Sequence, residues 1–424
     1  MKIALVHLNI YQDASLGYQL GLASIASVLL ANSIETKYFV LNDLDASDIK
    51  EYNPDVLGFY SIETQAKYIN NIVKEFPNAY TIVGGPYTTL CPNSIYELDV
   101  DAIFRGEGEL QLLKFIQSNL TDKDLAGFVF KNQKHTLSPR LTETELQSLP
   151  VPYRGSYIND MLKHDTVKRW ESKARGCIHF NVTRGCPYSC NFCANSVYNE
   201  LYGPSVIYRN LEQILTEIKI ANETFEYGSV VFADDILTID AKWFDEFMSA
   251  YRVEINKAFA FNSRVECLTE QNLKSIQDMP CILLRMGIES ANSEVRKSMN
   301  RPMPKKDIEE TFKMCHNYGV RTCSYNMLGY PGETPESWKE TVDLNMRLYE
   351  YARSKGTEHL GLLNVFYPYR GTSIGERCYR ENWVLPDIST VSPHIECGLT
   401  TPWLSKQQII DISAEWPSVL NTGG

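Results

Sequence analysis

Thr183-Arg184-Gly185-Cys186-Pro187-Tyr188-Ser189-Cys190-Asn191-Phe192-Cys193 places three thiols in one turn-rich segment with the spacing C-x3-C-x2-C. Gly185, Pro187 and Ser189 let the chain curl back, so the three sulfurs can converge on one metal centre. Thiolates suit iron–sulfur clusters, zinc and copper, and residue type alone leaves the metal open. The count narrows it. Three thiolates on a cube of four irons leave one iron without a protein ligand, whereas a structural zinc site closes with four. The candidates for a fourth zinc ligand are Cys177 and His179, which alternate onto one face of the apolar run Cys177-Ile178-His179-Phe180-Asn181-Val182 entering the loop. A strand holds both away from its own following loop, so a cluster is favoured over zinc.

Cys186, Cys190 and Cys193, with Phe192 before the last, resemble the signature of the radical SAM enzymes. The resemblance implies a [4Fe-4S] cluster whose open iron chelates the amino and carboxylate groups of S-adenosylmethionine. One electron from that cluster then cleaves a sulfonium C–S bond, usually giving a 5′-deoxyadenosyl radical. It also implies an electron donor such as flavodoxin or ferredoxin.

At 424 residues the chain exceeds the size at which one core usually keeps growing, so two domains are expected. With 44% hydrophobic and 22% charged residues it reads as an ordinary globular protein. The net charge of -11, without clustered Lys and Arg, argues against a nucleic-acid partner. Eleven cysteines without a secretory signal suggest a reducing compartment, hence a cytoplasmic protein with metal-bound or buried thiols. The apolar run from Leu20 to Ala31 is too short to span a bilayer and lacks a basic flank, so it reads as a buried helix.

Upstream of the loop, β-rich runs alternate with helical patterns. Strands are expected at Ile3 to Val6, Lys37 to Leu41, Val56 to Ser61, Thr81 to Val83 and Ala102 to Phe104, and helices at Leu16 to Leu30, Gln65 to Phe76 and Glu109 to Asn119. Such alternation implies a doubly wound parallel sheet, a Rossmann-like fold whose ligands bind beyond the carboxyl ends of the strands. At those ends stand Tyr60-Ser61, Gly84-Gly85-Pro86 and Arg105-Gly106-Glu107-Gly108. In this order they resemble the cobalamin-binding domain at the amino end of many radical SAM proteins. The resemblance implies cobalamin contacts from Tyr60, Ser61, Gly84, Gly85, Pro86, Gly106, Glu107 and Gly108. The Asp-x-His-x-x-Gly motif that supplies a histidine to cobalt elsewhere is absent, and no histidine lies between His7 and His135. A corrinoid here would lack a histidine lower ligand. Phe128-Val129-Phe130 reads as a small hairpin, and Leu149 to Gly155, with two prolines, as linker.

From Cys177 the β/α alternation resumes. Strands are expected at Ser229 to Ala233, Ala258 to Asn262, Ile282 to Ile288, Thr322 to Leu328 and Leu360 to Phe366. Helices fall between them, the first at Leu211 to Ala221. Six parallel strands with outer helices can be open or curved, and the resemblance implies a partial (β/α)6 barrel with the cluster at its carboxyl-end mouth. The fold class is thus α/β, with a cobalamin-binding domain at 1–135, a linker at 136–175, a partial barrel at 176–375 and a short C-terminal segment at 376–424 whose last residues, Val419 to Gly424, read as frayed.

Asp234 and Asp235 end the second barrel strand and suit the methionyl ammonium; Arg264 ends the third and can fork onto its carboxylate. Glu289 and Ser290 suit the ribose hydroxyls, with a role for Glu289 in orienting Arg264 as the other reading, and Phe192 can lie against adenine. Tyr325, Asn326, Tyr367 and Arg370 are the candidates to face a substrate. The expected activity is methyl transfer, using the cluster, S-adenosylmethionine and cobalamin, to an unactivated carbon or phosphorus centre of a small molecule or peptide. Cyclisation, ring contraction or rearrangement with the same cofactors is the alternative, and a corrinoid carrier or sensor a second one. No residue stands out as a general base, and radical hydrogen abstraction requires none.

Overall fold

The computed structural model describes residues 1–10, 19–155, 176–388 and 391–422. They fall into two compact units: residues 1–167 with 207–226, and residues 168–206 with 227–424.

The first unit is built on a six-stranded sheet whose strands are, in chain order, Lys2–Leu8, Glu35–Leu41, Val56–Tyr60, Tyr80–Gly84, Ala102–Phe104 and Phe128–Val129. In space they run second, first, third, fourth, fifth, sixth. The first five are parallel, while the sixth lies antiparallel to the fifth, Ile103 opposite Val129 and Phe104 opposite Phe128. Both faces are covered, and alternation divides the side chains between them. Ala4, Val6, Leu57, Phe59 and Val83 pack with Ile69 and Ile72 on one face. Ile3, Leu5, Val56 and Ile82 pack with Leu22, Leu29 and Phe115 on the other. The spatial order reverses direction between the first and third strands, and a crevice opens beyond the carboxyl ends at such a point.

Two expectations about this unit are corrected by its packing. Phe128-Val129-Phe130 forms no hairpin of its own; it closes the sheet edge, because its rings stack onto Phe115 from the covering helix. The segment 136–155 is no bare linker. Thr142 caps the helix Glu143–Ser148 in a reciprocal box with Glu145, Leu146 and Leu149 pack with Val28, and Tyr153 N donates to Ala23 O at 3.0 Å and Ser27 Oγ at 2.9 Å. The remainder of that segment, 156–175, lies outside the described residues, as does the stretch 16–18 of the helix expected from Leu16; that helix is described as Leu20–Ala31.

The helix Leu211–Thr224, expected in the barrel, belongs to the first unit. Its Gln213 side chain donates to Gln147 O at 2.7 Å and Leu149 O at 3.0 Å. One turn on, the wholly buried Glu217 carboxylate pairs with Arg154 at 2.6 Å and Arg209 at 2.7 Å. Alternation cannot reveal such a departure, because the helix keeps its apolar stripe whichever sheet it covers.

The second unit carries six parallel strands, Cys177–Phe180, Ser229–Phe232, Ala258–Ser263, Cys281–Glu289, Thr322–Leu328 and His359–Val365, neighbouring in chain order. Its first and sixth strands are its two edges, which is the topology of a partial barrel. Phe232, Phe259 and Phe261 meet Phe244, Phe247 and Tyr251 of the helix Ala241–Glu254 in an aromatic layer behind the sheet. The chain end is also ordered. Residues 418–422 are helical, and Leu420 is buried with Trp338, Trp416, Cys378 and Cys397, so the expected fraying does not extend to them. Gly423 and Gly424 lie outside the described residues. Among the described residues no helix is long and apolar enough to cross a membrane.

Glu217→Ala would remove the buried carboxylate that Arg154 and Arg209 share, at a cost of about 3–5 kcal/mol. We expect urea unfolding of the variant to show that loss.

Candidate cluster and cofactor site

The loop after the first barrel strand is fixed at its entrance. Asp234, at the carboxyl end of the second strand, accepts from Val182 N at 3.0 Å, Thr183 N at 2.5 Å and Thr183 Oγ1 at 2.7 Å. Gly185 then turns with φ +99°, where a side chain would be strained. The loop's far end is held as firmly. Asn191 N donates to Met299 O at 3.1 Å, its side-chain amide donates to Ser298 O at 2.7 Å, and its Oδ1 accepts from Tyr330 at 3.0 Å. Asn199 and Asn300 donate to Tyr188 O at 3.0 Å and Ser189 O at 2.7 Å.

Cys186, Cys190 and Cys193 lie on this loop, and none of the cysteines of the chain is in a disulfide. Burial pushes the Cys186 thiol up to about 11 and that of Cys193 to about 12, with Asp235 and the neighbouring cysteines adding to both. Thiols so placed become thiolates when a metal replaces the proton. Among the described residues no three Cys, His, Asp or Glu side chains gather closely enough to share one ion. A cube does not require that, because it takes each thiolate at a separate iron. Cys177 Sγ and His179 Nε2 face the same side of their strand, 3.6 Å apart.

Around the loop the structure redistributes the expected roles. Asp234 is 2% exposed and acts as a clamp on the loop, not as an open carboxylate; burial holds its carboxyl up to about 6. Asp235, next in sequence, is exposed and acts on Cys186 and Cys193, and the walls around it raise its carboxyl above the usual range against a hydrogen bond from Asn195. Arg264 does not keep an open fork. Its guanidinium takes Glu266 at 2.7 and 3.3 Å, lies 3.8 Å above the Tyr188 ring and donates to Cys190 Sγ at 3.2 Å. Burial pushes the Glu266 carboxyl up, and the forked Arg264 overrides it, so Glu266 stays below the ordinary range. Glu289 has φ +62° at the end of the fourth strand, and burial raises its carboxyl against the opposing pull of Arg301 and Arg264.

Ser290 is wholly buried; its Oγ accepts from Asn292 N at 3.2 Å within its own turn, which removes it from the ribose role expected of it. Phe192 is partly buried against the core that holds Met299, Met327 and Leu328. Of the substrate candidates, Tyr325 is half-buried on the face opposite Asn326. Asn326 is corrected: it is wholly buried under the helix Pro335–Ser354, bonded to Asn345 at 2.9 Å and Ser324 at 3.0 Å. Tyr367 is 3% exposed and packs on Tyr369, while Arg370 is half-buried.

Arg301, Glu266 and Tyr188 are site residues that the sequence reading missed. Arg301 is 5% exposed, donates to Gly287 O at 2.7 Å and reaches Cys190 Sγ at 3.9 Å. A lone cation before a proline, Asn300-Arg301-Pro302, was its only signal, and no local spacing links position 301 to 190.

In the first unit the strand ends are made of backbone. Gly84, Gly85 and Pro86 are half-exposed, and Gly85 has φ +114° with Ser61 so close that a Cβ there would stand 2.9 Å from Ser61 O. Ser61 itself is wholly buried and its Oγ donates to Ile62 O at 2.9 Å, so what it presents is not a free hydroxyl. Glu107 accepts from Leu141 N at 2.6 Å, Gly106 has φ +94°, and Gly108 stands at the start of the helix Glu109–Gln117. Half-buried Tyr60 meets the ring of His7 edge-on at 5.8 Å.

A model of the radical SAM superfamily matches residues 180–344. An uncharacterized methyltransferase of Pyrococcus horikoshii is 26% identical over 395 residues, covering 87% of this chain and 80% of the relative. An anaerobic magnesium-protoporphyrin IX monomethyl ester cyclase of Rubrivivax gelatinosus is 23% identical over 344 residues, 76% of this chain and 60% of the relative. Among solved structures, the radical S-adenosylmethionine methyltransferase TsrM of Kitasatospora setae, with cobalamin and a [4Fe-4S] cluster bound, superposes with a TM-score of 0.68 at 16% identity. That match covers 90% of this chain and 75% of TsrM, a likeness of fold.

Near the site Glu333 is wholly buried, accepts from Gly329 N at 2.8 Å and is raised by burial to about 8 from an ordinary 4.5. The fold therefore favours the protonated acid, and the stability it contributes is full below about pH 4.5 and is lost as pH rises through about 8. We expect the unfolding free energy to fall by up to ~1.4 kcal/mol per pH unit between about pH 4.5 and about pH 8. Glu333→Gln, which keeps the acceptor for Gly329 N, should flatten that slope in urea titrations.

Proposed function

We propose that this chain, whose residues 180–344 match the radical SAM superfamily, is a cobalamin-dependent methyltransferase acting on an unactivated carbon or phosphorus centre of a small molecule or peptide. The observation that carries the reading is the clamped loop that presents Cys186, Cys190 and Cys193 beside Asp235, Glu289 and two guanidiniums.

The residues fit the groups this activity needs. Three thiols on a loop held at both ends suit a cluster with one iron left open. Asp235, exposed and beside the cysteines, is the carboxylate we assign to the methionyl ammonium, with Glu289 lining the same strand-end face and Phe192 as the adenine wall. The Arg264 fork is taken by Glu266, so we assign Arg264 to the cluster loop instead of the methionyl carboxylate. In the first unit, Tyr60 and the backbone of Gly84, Gly85, Pro86, Gly106 and Gly108 form the surface we assign to a corrinoid, with Ser61 and Glu107 shaping it from behind. The sequence carries no histidine between His7 and His135, and the His7 ring is turned onto Tyr60, which suits a corrinoid without a histidine lower ligand. When bound, the cluster supplies one electron to split S-adenosylmethionine and the corrinoid carries a methyl group. Tyr325, Tyr367 and Arg370 remain the side chains we assign to the substrate. An electron donor such as flavodoxin or ferredoxin completes the system.

The likeness to anaerobic ester cyclases favours one other outcome, ring closure with the same cofactors. A single experiment separates the two. Anaerobically reconstituted protein should hold about four irons and four sulfides, and it should release 5′-deoxyadenosine when reduced with S-adenosylmethionine. With cobalamin added and the S-adenosylmethionine methyl labelled, methyl transfer predicts label recovered with the bound corrinoid. Deoxyadenosine without any such label would favour cyclisation, and absence of iron would defeat both.

A further inference from the structure

We propose that Arg301, acting with Arg264, sets the reduction potential of the cluster by donating hydrogen bonds to the Cys190 sulfur. This rests on the reading that Cys186, Cys190 and Cys193 hold that cluster.

The two guanidiniums converge on one of the three sulfurs. Arg264 Nη1 lies 3.2 Å from Cys190 Sγ, and Arg301 Nη1 lies 3.9 Å from it. Neither is a wandering surface side chain, since they are 6% and 5% exposed. Arg264 is held flat on Tyr188 and forked on Glu266, so the direction of its remaining N–H bonds is fixed. Arg301 is held by Gly287 O at 2.7 Å. Its loop is closed in turn by the wholly buried Arg296, which donates to Ser290 O at 2.6 Å and Met303 O at 2.7 Å. Arg301 Nε is buried without an acceptor. The desolvated cation faces the Glu266 and Glu289 carboxylates as well as Cys190, and a negatively charged sulfur is a further group it can stabilise.

The field around the loop is uneven. Two guanidiniums approach the Cys190 sulfur, whereas Cys193 feels the Asp235 carboxylate and Cys186 feels both Asp235 and Arg264. A one-electron reduction adds negative charge to the cluster and its thiolates. Donors and cations at Cys190 stabilise the reduced state more than the oxidised one and raise the potential. Arg301 is therefore a tuning residue that acts through Cys190, and its removal should make the cluster harder to reduce.

The test is a redox titration followed by EPR on the full chain, anaerobically reconstituted, without S-adenosylmethionine, comparing wild type with Arg301→Gln and Arg301→Lys. We expect Arg301→Gln to lower the reduction constant by about tenfold, ~59 mV for a one-electron couple, with Arg301→Lys falling less because it keeps the charge. An Arg301→Gln protein with full iron and sulfide and a midpoint equal to or above wild type overturns the proposal. If Arg301→Gln does not retain iron, Arg301→Lys decides, a lowered midpoint supporting tuning and an unchanged one refuting it. A wild-type chain that takes up no iron would instead defeat the cluster reading itself.

Discussion

The cluster loop depends on the Asp234 carboxylate, buried at the end of the second barrel strand and accepting from the Val182 and Thr183 amides and the Thr183 hydroxyl. Those donors belong to the residues that leave the first strand, where the sheet's own ladder no longer satisfies them. Burying a carboxylate is costly, and several short hydrogen bonds are what make it tolerable. Asn262 on the third strand extends the arrangement by donating to Asp234 O at 2.8 Å. Three successive strand ends are thereby tied together beneath the cysteines, and the loop inherits the rigidity of the sheet.

The legible parts of this chain were those with a local signature. The C-x3-C-x2-C spacing lies within one turn-rich stretch, and the strands of both sheets declare themselves by short apolar runs between helical patterns. What could not be read was pairing across the sheet. Arg264 was recognised as a strand-end cation, yet whether its fork faces a ligand or Glu266 depends on a turn of two residues whose geometry the sequence does not encode. Asn326 and Tyr325 show the same limit in a strand. Adjacent residues face opposite sides, and only the position of Asn345 on the covering helix reveals that Asn326 is the outer one.

The helix Leu211–Thr224 illustrates a limit of another kind. Its capping by Asn210 and its buried positions Ile214, Leu215 and Ile218 are ordinary for a helix covering a parallel sheet. The partners that place it in the first unit, Gln147, Leu149 and Arg154, lie more than sixty residues earlier. A reading that follows β/α alternation assigns each helix to the nearest strands, and here a buried Glu217 between two arginines overrides that assignment.

Strand-end polar residues in a parallel sheet face two demands, and the pair Asp234 and Asp235 separates them. The strand leaves the sheet at this point, so one side chain turns inward to satisfy backbone amides that the ladder has abandoned, while its neighbour turns toward the mouth. The same division recurs at Glu289 and Ser290, where the serine is absorbed in its own turn and the glutamate feels both guanidiniums. Glu333 accepting from Gly329 N, and Arg296 holding Ser290 O and Met303 O, are further members of the inner set. A tract of acidic and hydroxylated residues at a barrel mouth is thus two layers: an inner one that fixes the loops, and an outer one left to meet a ligand. The cofactor roles proposed above fall to the outer layer, and that layer cannot be oriented unless the inner one is complete.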